Sequence, residues 1–131
     1  MVRKVKKETF TVMVVDDNES MRELIGMHLR IHGYEVVEAS DGSEAVELVR
    51  RECPALILMD INMPVMDGLE ATRLIRAIKD LCRMPIVAIS AYGDGSNNRL
   101  EALAAGCDEY ISKTKGITEL PSIIERHLRT T

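Results

Sequence analysis

The sequence predicts an α/β fold in which a parallel β-sheet is covered by helices on both faces. Short apolar runs alternate five times with segments whose apolar residues recur at helical spacing. The third run, Ala55 to Met59, is unbroken and apolar, as expected for a strand buried on both faces of such a sheet. Acidic or hydroxyl residues follow several of these runs directly, which indicates where strands end in loops.

The composition indicates one soluble globular domain. The chain has 131 residues, of which 46% are hydrophobic and 29% charged. No apolar run approaches the roughly 20 residues of a membrane span, and no signal peptide is recognisable. The net charge of −4 argues against bulk nucleic-acid binding.

The cysteines and the first residues bear on location and domain limits. Cys53, Cys82 and Cys107 are widely separated and form no CxxC pair, so we expect reduced thiols in a cytoplasmic protein. Residues 1–8 are polar and basic and are expected to form a flexible arm, which leaves residues 9–131 for the domain. Whether the domain is a stand-alone protein or part of a longer one stays open.

Clear signals bound the first strand and the first helix. Thr9 to Val15 is rich in β-branched residues and ends at Asp16 and Asp17. Asn18 is suited to cap a helix that Gly33 ends. The positions at helical spacing in this helix are Met21, Leu24, Ile25, His28, Leu29 and Ile31.

The next two helices share one capping pattern. After a shorter strand over Tyr34 to Ala39, Asp41 is followed three residues later by Glu44, which is an acidic form of the capping box. Asp67 and Glu70 repeat this pattern after the third strand. The apolar positions of the helix that begins there are Leu69, Leu74, Ile75 and Ile78.

The fourth strand is expected over Ile86 to Ile89, after Pro85, and ends at Ser90. A glycine-rich loop over residues 92–96 is expected to be mobile. The helix after it is predicted to end at Gly106, and its expected apolar stripe is Leu100, Leu103 and Ala104.

The last strand contains Tyr110 and ends near Lys113. Thr118 is predicted to cap the final helix, with Pro121 in its first turn. The expected inner face of this helix is Ile123, Ile124 and Leu128.

Polar side chains are predicted to gather at one edge of the sheet, because right-handed crossovers bring the ends of parallel strands together. Asp16 and Asp17 follow the first strand, and Asp60, Ser90 and Lys113 follow the third, fourth and fifth. Three carboxylates offer the oxygen ligands that Mg²⁺ prefers. A lysine and a hydroxyl can bind the oxygens of an anion held on Asp60. These groups suit phosphoryl transfer to a carboxylate.

On these residues the chain resembles the receiver domain of two-component response regulators, over its full length after the basic arm. The matching segments are Val-Val-Asp16-Asp17-Asn, Leu-Met-Asp60-Ile-Asn62-Met-Pro64-Val-Met-Asp-Gly68, Ile-Ser90-Ala and Tyr110-Ile-Ser-Lys113. The resemblance implies a flavodoxin-like, doubly wound, five-stranded sheet with the order 2-1-3-4-5, as in chemotaxis regulators.

The resemblance also implies a role for each site residue. Asp60 would be the phospho-acceptor and Lys113 the phosphate-binding lysine. Ser90 would be the switch hydroxyl and Tyr110 the rotating aromatic residue. The implied ligands of Mg²⁺ are Asp16, Asp17, Asp60 and the backbone carbonyl of Asn62.

The function implied is a phosphorylation-dependent signalling switch rather than an enzyme with a separate substrate. A sensor histidine kinase, a phosphotransfer protein or a small acyl phosphate would supply the phosphoryl group. The face formed by the fourth helix, the fifth strand and the last helix would then repack to control a downstream protein, and a dimer through this face is compatible with the family. Neither direct nucleic-acid binding nor a membrane contact is expected.

Other interpretations compete with this one. A Mg²⁺-dependent phosphatase with an aspartyl nucleophile would place a second acid where Asn62 stands. An interaction module that has lost phosphorylation would not need the complete set of site residues. Asp16 and Asp17 alone would more often be helix caps, and Tyr110 alone a packing residue. His28 and His32 have a spacing that could bind a metal, but no third ligand is apparent, and a solvated helix face is the favoured explanation.

Three features near the site give specific expectations. Met63 and Met66 are expected to lie beside it and screen it from water. Tyr92, two residues after Ser90, is predicted to obstruct the approach of water to a phosphoryl group. Thr114 stands where the family usually has a proline after a cis peptide bond, so we expect the Lys113–Thr114 bond to be trans.

Overall fold

Five strands form a single parallel sheet with the order β2-β1-β3-β4-β5, as the resemblance implied. The structure is a computed structural model that describes residues 9–63, 66–78, 83–91, 96–113 and 117–129. The strands are β1 (Thr11–Val15), β2 (Glu35–Ala39), β3 (Leu56–Asp60), β4 (Ile86–Ser90) and β5 (Glu109–Ser112).

Five helices cover the sheet, and the sequence signals mark most of their ends. They are α1 (Glu19–Ile31), α2 (Gly42–Glu52), α3 (Gly68–Ala77), α4 (Ser96–Ala105) and α5 (Leu120–Arg129), with a 3₁₀ turn at Ile117–Glu119 before the last. The side chains of Asn18, Asp41 and Asp67 each accept a backbone N–H from the third residue after them, which confirms the three predicted N-caps.

The core consists of two apolar layers on the two faces of the sheet. One layer lies between the sheet and α2, α3 and α4, and it includes Ala45, Ala71 and Ala102. The other lies between the sheet and α1 and α5, and it includes Ile25 and Ile124. Every residue of β3 is buried, so this strand is covered on both faces as its apolar run predicted.

The predicted apolar stripe of α4 is wrong. Leu100 and Leu103 are 63% and 45% exposed, whereas Ala102 and Ala105 are buried. The small alanines let α4 pack closely on the core, so hydrophobicity alone identified the wrong face. In the same way Leu24 and Ile31 of α1 and Leu74 of α3 are exposed, although each has helical spacing.

Two further expectations need correction. Thr118 lies within the 3₁₀ turn and α5 begins at Leu120, so Thr118 is not the N-cap of this helix. Cys53 is disulfide-bonded, so the expectation of reduced thiols is wrong there. Cys107 is free and buried, and Cys82 lies outside the described residues. No helix in the described part of the chain has the length and apolar character needed to cross a bilayer.

Candidate functional site

Three carboxylates meet at the carboxyl-terminal edge of the sheet. Asp60 is the last residue of β3, and Asp16 directly follows β1, its backbone N–H donating to the carbonyl of Ala39. Asp16 and Asp60 are almost completely buried, whereas Asp17 is exposed. One carboxylate oxygen from each lies within 4.8 Å of the others, so the predicted acidic cluster is present.

Backbone N–H groups orient the two buried carboxylates in the same way. Asp60 Oδ1 accepts a hydrogen bond of 2.9 Å from the N–H of Asn62. Asp16 Oδ1 accepts one of the same length from the N–H of Asn18. Such bonds to a residue two positions later are a local property of aspartate in turns. They direct the other oxygen of each carboxylate towards the space between β1 and β3.

Lys113 occupies this space. Its Nζ lies 3.0 Å from Asp16 Oδ2 and 3.2 Å from Asp60 Oδ2. Burial by itself would lower the pKa of Lys113, but the hydrogen bonds and charges of the two aspartates raise it above its usual value. The lysine is therefore charged at neutral pH and neutralises part of the carboxylate cluster.

One lysine does not offset the cost of burying the carboxylates. Burial and, to a smaller extent, the charge of Asp16 raise the pKa of Asp60 to about 6, against the lowering effects of the Asn62 N–H and Lys113. An added cation would favour the ionised form. The oxygen donors of Asp16, Asp17 and Asp60 therefore fit a hard divalent ion such as Mg²⁺ both in ligand type and in charge.

The Ser90 hydroxyl donates a hydrogen bond of 3.0 Å to the side-chain oxygen of Asn62. Ser90 is fully buried at the end of β4, and Asn62 is exposed. The sequence placed both residues near Asp60, but only the backbone carbonyl of Asn62 was predicted to have a role. The position of Asn62, two residues after Asp60, showed that it lies near the site. The sequence did not show that its side chain accepts a hydrogen bond from a residue on another strand.

Tyr110 lies inside the domain, with 2% of its surface exposed. The guanidinium carbon of Arg99, on α4, lies 5.4 Å from the centroid of the Tyr110 ring, a cation–π contact. Arg99 could not be identified from the sequence, because nothing in the local pattern relates it to a tyrosine eleven residues later on a strand.

Two contacts to the backbone of Asp16 and Asp60 support the position of the acidic cluster. The guanidinium of Arg22, on α1, donates to the backbone carbonyl of Asp16 at 2.8 Å and pairs with Glu38 of β2. Gly68, at the start of α3, packs directly on β3: a Cβ there would overlap the carbonyl oxygen of Asp60 and lie 2.7 Å from the Cα of Ile61. Only glycine allows this close approach.

The remaining expectations have mixed outcomes. Met63 is buried and Met66 packs against the same core layer, so both contribute to the core next to the site. The rings of His28 and His32 lie 4.8 Å apart, but among the described residues no acidic group, cysteine or further histidine joins them in a metal-binding cluster. Pro64, Tyr92 and Thr114 lie outside the described residues, so the expectations about Tyr92 and the Lys113–Thr114 bond stay predictions.

Comparison with known proteins shows the family to which the chain is similar. The family model for the response regulator receiver domain matches residues 12–125. The chain is 38% identical to the response regulator MprA of Mycobacterium leprae over 92% of its length, and it spans only about half (51%) of that relative. It is 35% identical to the polar-differentiation response regulator DivK of Brucella ovis, covering 92% of this chain and 97% of DivK.

One similar solved structure contains a metal ion. The receiver domain of the sensor histidine kinase PA1611 from Pseudomonas aeruginosa superimposes with a TM-score of 0.83 and 35% identity, covering 93% of this chain and 99% of that one. That structure has a magnesium ion coordinated in its active-site cleft.

Proposed function

Because this chain belongs to the response regulator receiver domain family, we propose that it is a phosphorelay switch in which Asp60 accepts the phosphoryl group. Receiver domains are signalling domains that phosphorylation switches between states. The observation that carries the assignment to Asp60 is its position beside Lys113 and Asp16, with 3.2 Å between its Oδ2 and the lysine ammonium.

The proposed reaction is a phosphoryl transfer to the Asp60 carboxylate. A carboxylate oxygen forms a bond to phosphorus as the bond from phosphorus to the donor breaks, and the donor retains that electron pair. When the donor is the phosphohistidine of a sensor histidine kinase or phosphotransfer protein, the leaving group would be the histidine side chain, which then takes up a proton. When the donor is a small acyl phosphate, the leaving group would be a carboxylate. The product on the protein is an aspartyl phosphate.

The residues around Asp60 would stabilise the transferred group. Lys113 would bind one phosphoryl oxygen through its ammonium and Ser90 another through its hydroxyl. Asp16, Asp17, Asp60 and the backbone carbonyl of Asn62 would hold Mg²⁺, in keeping with the oxygen donors of the cluster. When bound, the ion would neutralise negative charge on the phosphoryl oxygens.

The proposed output surface is the face formed by α4, β5 and α5. Ser90 would move towards the phosphoryl group, and Tyr110 would repack against the space that this opens. Since the Tyr110 ring is already buried under Arg99, we expect its contacts within the domain to change rather than the ring to enter from solvent. The exposed Leu100 and Leu103 of α4 provide apolar area for a downstream protein or for a second copy of the chain.

The wider assignment follows the family. We propose that residues 9–131 form the receiver domain after a basic arm at residues 1–8, and that the protein acts in the cytoplasm. Its partners would be a kinase or phosphotransfer protein and a protein target, without direct contact to nucleic acid or a membrane.

Phosphorylation by a small acyl phosphate, with Mg²⁺ or with EDTA, tests the proposal. Intact-mass and peptide mass spectrometry should show one phosphoryl group, on Asp60, that forms only with Mg²⁺. Asp60→Asn should abolish the label, and Asp41→Asn is a matched control because asparagine caps α2 as well as aspartate does. A label of unchanged stoichiometry in Asp60→Asn would show the assignment to be wrong.

A further inference from the structure

We propose that the side chain of Asn62 is a latch that holds the Ser90 hydroxyl in the unphosphorylated protein and so sets how readily the domain switches. The inference rests on the proposed function of Asp60 and deepens it, since it concerns the regulation of the same site. It assigns the Asn62 amide a role separate from that of the Asn62 backbone carbonyl.

The geometry places the latch between the phospho-acceptor and the switch hydroxyl. Asp60 pairs with Ile89 in the β3–β4 register, so Ser90 follows one residue later on the neighbouring strand. The Asn62 N–H donates to Asp60 Oδ1 at 2.9 Å, which holds residue 62 against the carboxylate. From there its amide oxygen reaches the Ser90 hydroxyl at 3.0 Å.

A serine hydroxyl has a single proton. While Ser90 donates that proton to Asn62, it cannot donate it to an oxygen on Asp60. The amide therefore competes directly with a phosphoryl group for the switch hydroxyl. A phosphoryl oxygen is charged and is the stronger acceptor, so Ser90 changes partner when Asp60 is phosphorylated and stays on Asn62 otherwise.

The exposure of the two partners makes the latch easy to release. Ser90 is fully buried, but Asn62 is exposed. When Ser90 leaves, water can bind the amide oxygen, so little is lost on that side of the exchange. Asn62 acts here as a positioning residue, because it influences the reaction through Ser90.

Replacement of Asn62 by alanine tests the latch with beryllofluoride and Mg²⁺ as the probe for a phosphorylated Asp60. Without the competing acceptor, the apparent affinity for beryllofluoride should rise about threefold to tenfold. In EDTA and without beryllofluoride, the ring resonance of Tyr110 in the NMR spectrum should move towards its position in the beryllofluoride-bound wild type. A change that only loosened the fold would not move it in that direction.

A double-mutant cycle separates the latch from other effects of the alanine. In a Ser90→Ala background, Asn62→Ala should change the affinity for beryllofluoride less than twofold, because the hydroxyl is gone. In a Ser90→Thr background, which keeps a hydroxyl, the full gain should return.

The outcomes distinguish the latch from the proposed function. If wild type binds beryllofluoride and is labelled on Asp60, but Asn62→Ala binds with unchanged or lower affinity, the latch is wrong and the function stands. The latch is also wrong if the gain is the same in the Ser90→Ala background. A wild-type protein that takes neither label nor beryllofluoride overturns both proposals.

Discussion

Replacing Asp60 with asparagine is expected to stabilise the metal-free protein at neutral pH. Burial, and to a smaller extent Asp16, raise the pKa of Asp60 from 3.8 to about 6. The carboxylate therefore ionises more easily in the unfolded chain, so its ionisation favours unfolding. Asparagine keeps an oxygen that can accept the Asn62 N–H but has no charge. Lys113 keeps Asp16 as an ion-pair partner at 3.0 Å.

The pKa of Asp60 sets the size and the pH window of this effect. A rise from 3.8 to about 6 corresponds to about 3 kcal/mol of lost stability when the carboxylate is fully ionised. The loss is absent below pH 3.8, grows as the pH rises, and is complete above about pH 6. Water at the edge of the site screens part of it, so we expect a gain of about 1–3 kcal/mol for Asp60→Asn at pH 7.5 and almost none near pH 4.

Urea unfolding in EDTA, measured between pH 4 and pH 7.5, gives the free energy of unfolding of both proteins. Mg²⁺ should then stabilise wild type more than Asp60→Asn, since one ligand of the variant has lost its charge. The difference in free energy of unfolding between the two proteins should therefore become smaller. Asp67→Asn is the control: it removes a carboxylate at the N-cap of α3 but keeps a capping oxygen, so its stability should stay within about 0.5 kcal/mol of wild type.

An Asp60→Asn protein that is less stable than wild type at pH 7.5 in EDTA would contradict this prediction, because it would mean that the surroundings, Lys113 included, stabilise ionised Asp60. A difference between the two proteins that is the same at pH 4 and at pH 7.5 would contradict it as well, because it would mean that folding does not shift the pKa of Asp60.

Four other substitutions have expected results. Lys113→Met removes the cation beside two buried carboxylates and should lower the free energy of unfolding in EDTA by about 3 kcal/mol, partly restored by Mg²⁺. Gly68→Ala drives a Cβ into the backbone of Asp60 and should cost about 2 kcal/mol in urea unfolding and weaken Mg²⁺ binding. Arg76→Met removes three hydrogen bonds at the opposite edge of the sheet and should cost about 2 kcal/mol while leaving the rate of Asp60 phosphorylation unchanged. Tyr92→Ala should shorten the lifetime of the phosphoryl group, followed by loss of the label.

Each of these expectations has a contradicting result. A Lys113→Met protein that Mg²⁺ does not rescue would argue against charge as the cause. Gly33→Ala is the control for Gly68→Ala, because a Cβ at Gly33 meets open space and only its positive φ is strained; equal costs would remove the steric argument. A slower phosphorylation of Asp60 in Arg76→Met would contradict the expected independence, because it would mean that the contacts of Arg76 influence the site at the opposite edge of the sheet. An equal or longer lifetime in Tyr92→Ala would refute the shielding role.

The sequence determined the strands and the place of the site. β3 could be recognised because a strand buried on both faces needs an uninterrupted apolar run, and Asp60 ends that run. Asn18, Asp41 and Asp67 could be identified as N-caps because a cap bonds to residues three positions away, which is a local property. Parallel connectivity then brought Asp16, Asp60, Ser90 and Lys113 to one edge.

The buried faces of the helices were predicted less well than the strands and the N-caps. In α4 the largest apolar residues, Leu100 and Leu103, point outward, and the alanines Ala102 and Ala105 are buried. Which side of a helix meets the core depends on how closely the helix can approach its neighbours, and that distance is set by the packed structure. A hydrophobic pattern orders residues by polarity but contains no information on that distance.

Contacts between distant residues were decided by the tertiary structure alone. The hydrogen bond from Ser90 to Asn62 and the position of Arg99 over Tyr110 each depend on rotamers and on the spacing of neighbouring elements. The raised pKa of Asp60 likewise follows from its burial beside Asp16, which the order of residues does not specify. The sequence by itself thus determined which chemical groups meet at the edge of the sheet. The packed structure decided how they are paired, because pairing depends on distances of a few tenths of an ångström between groups far apart in the chain.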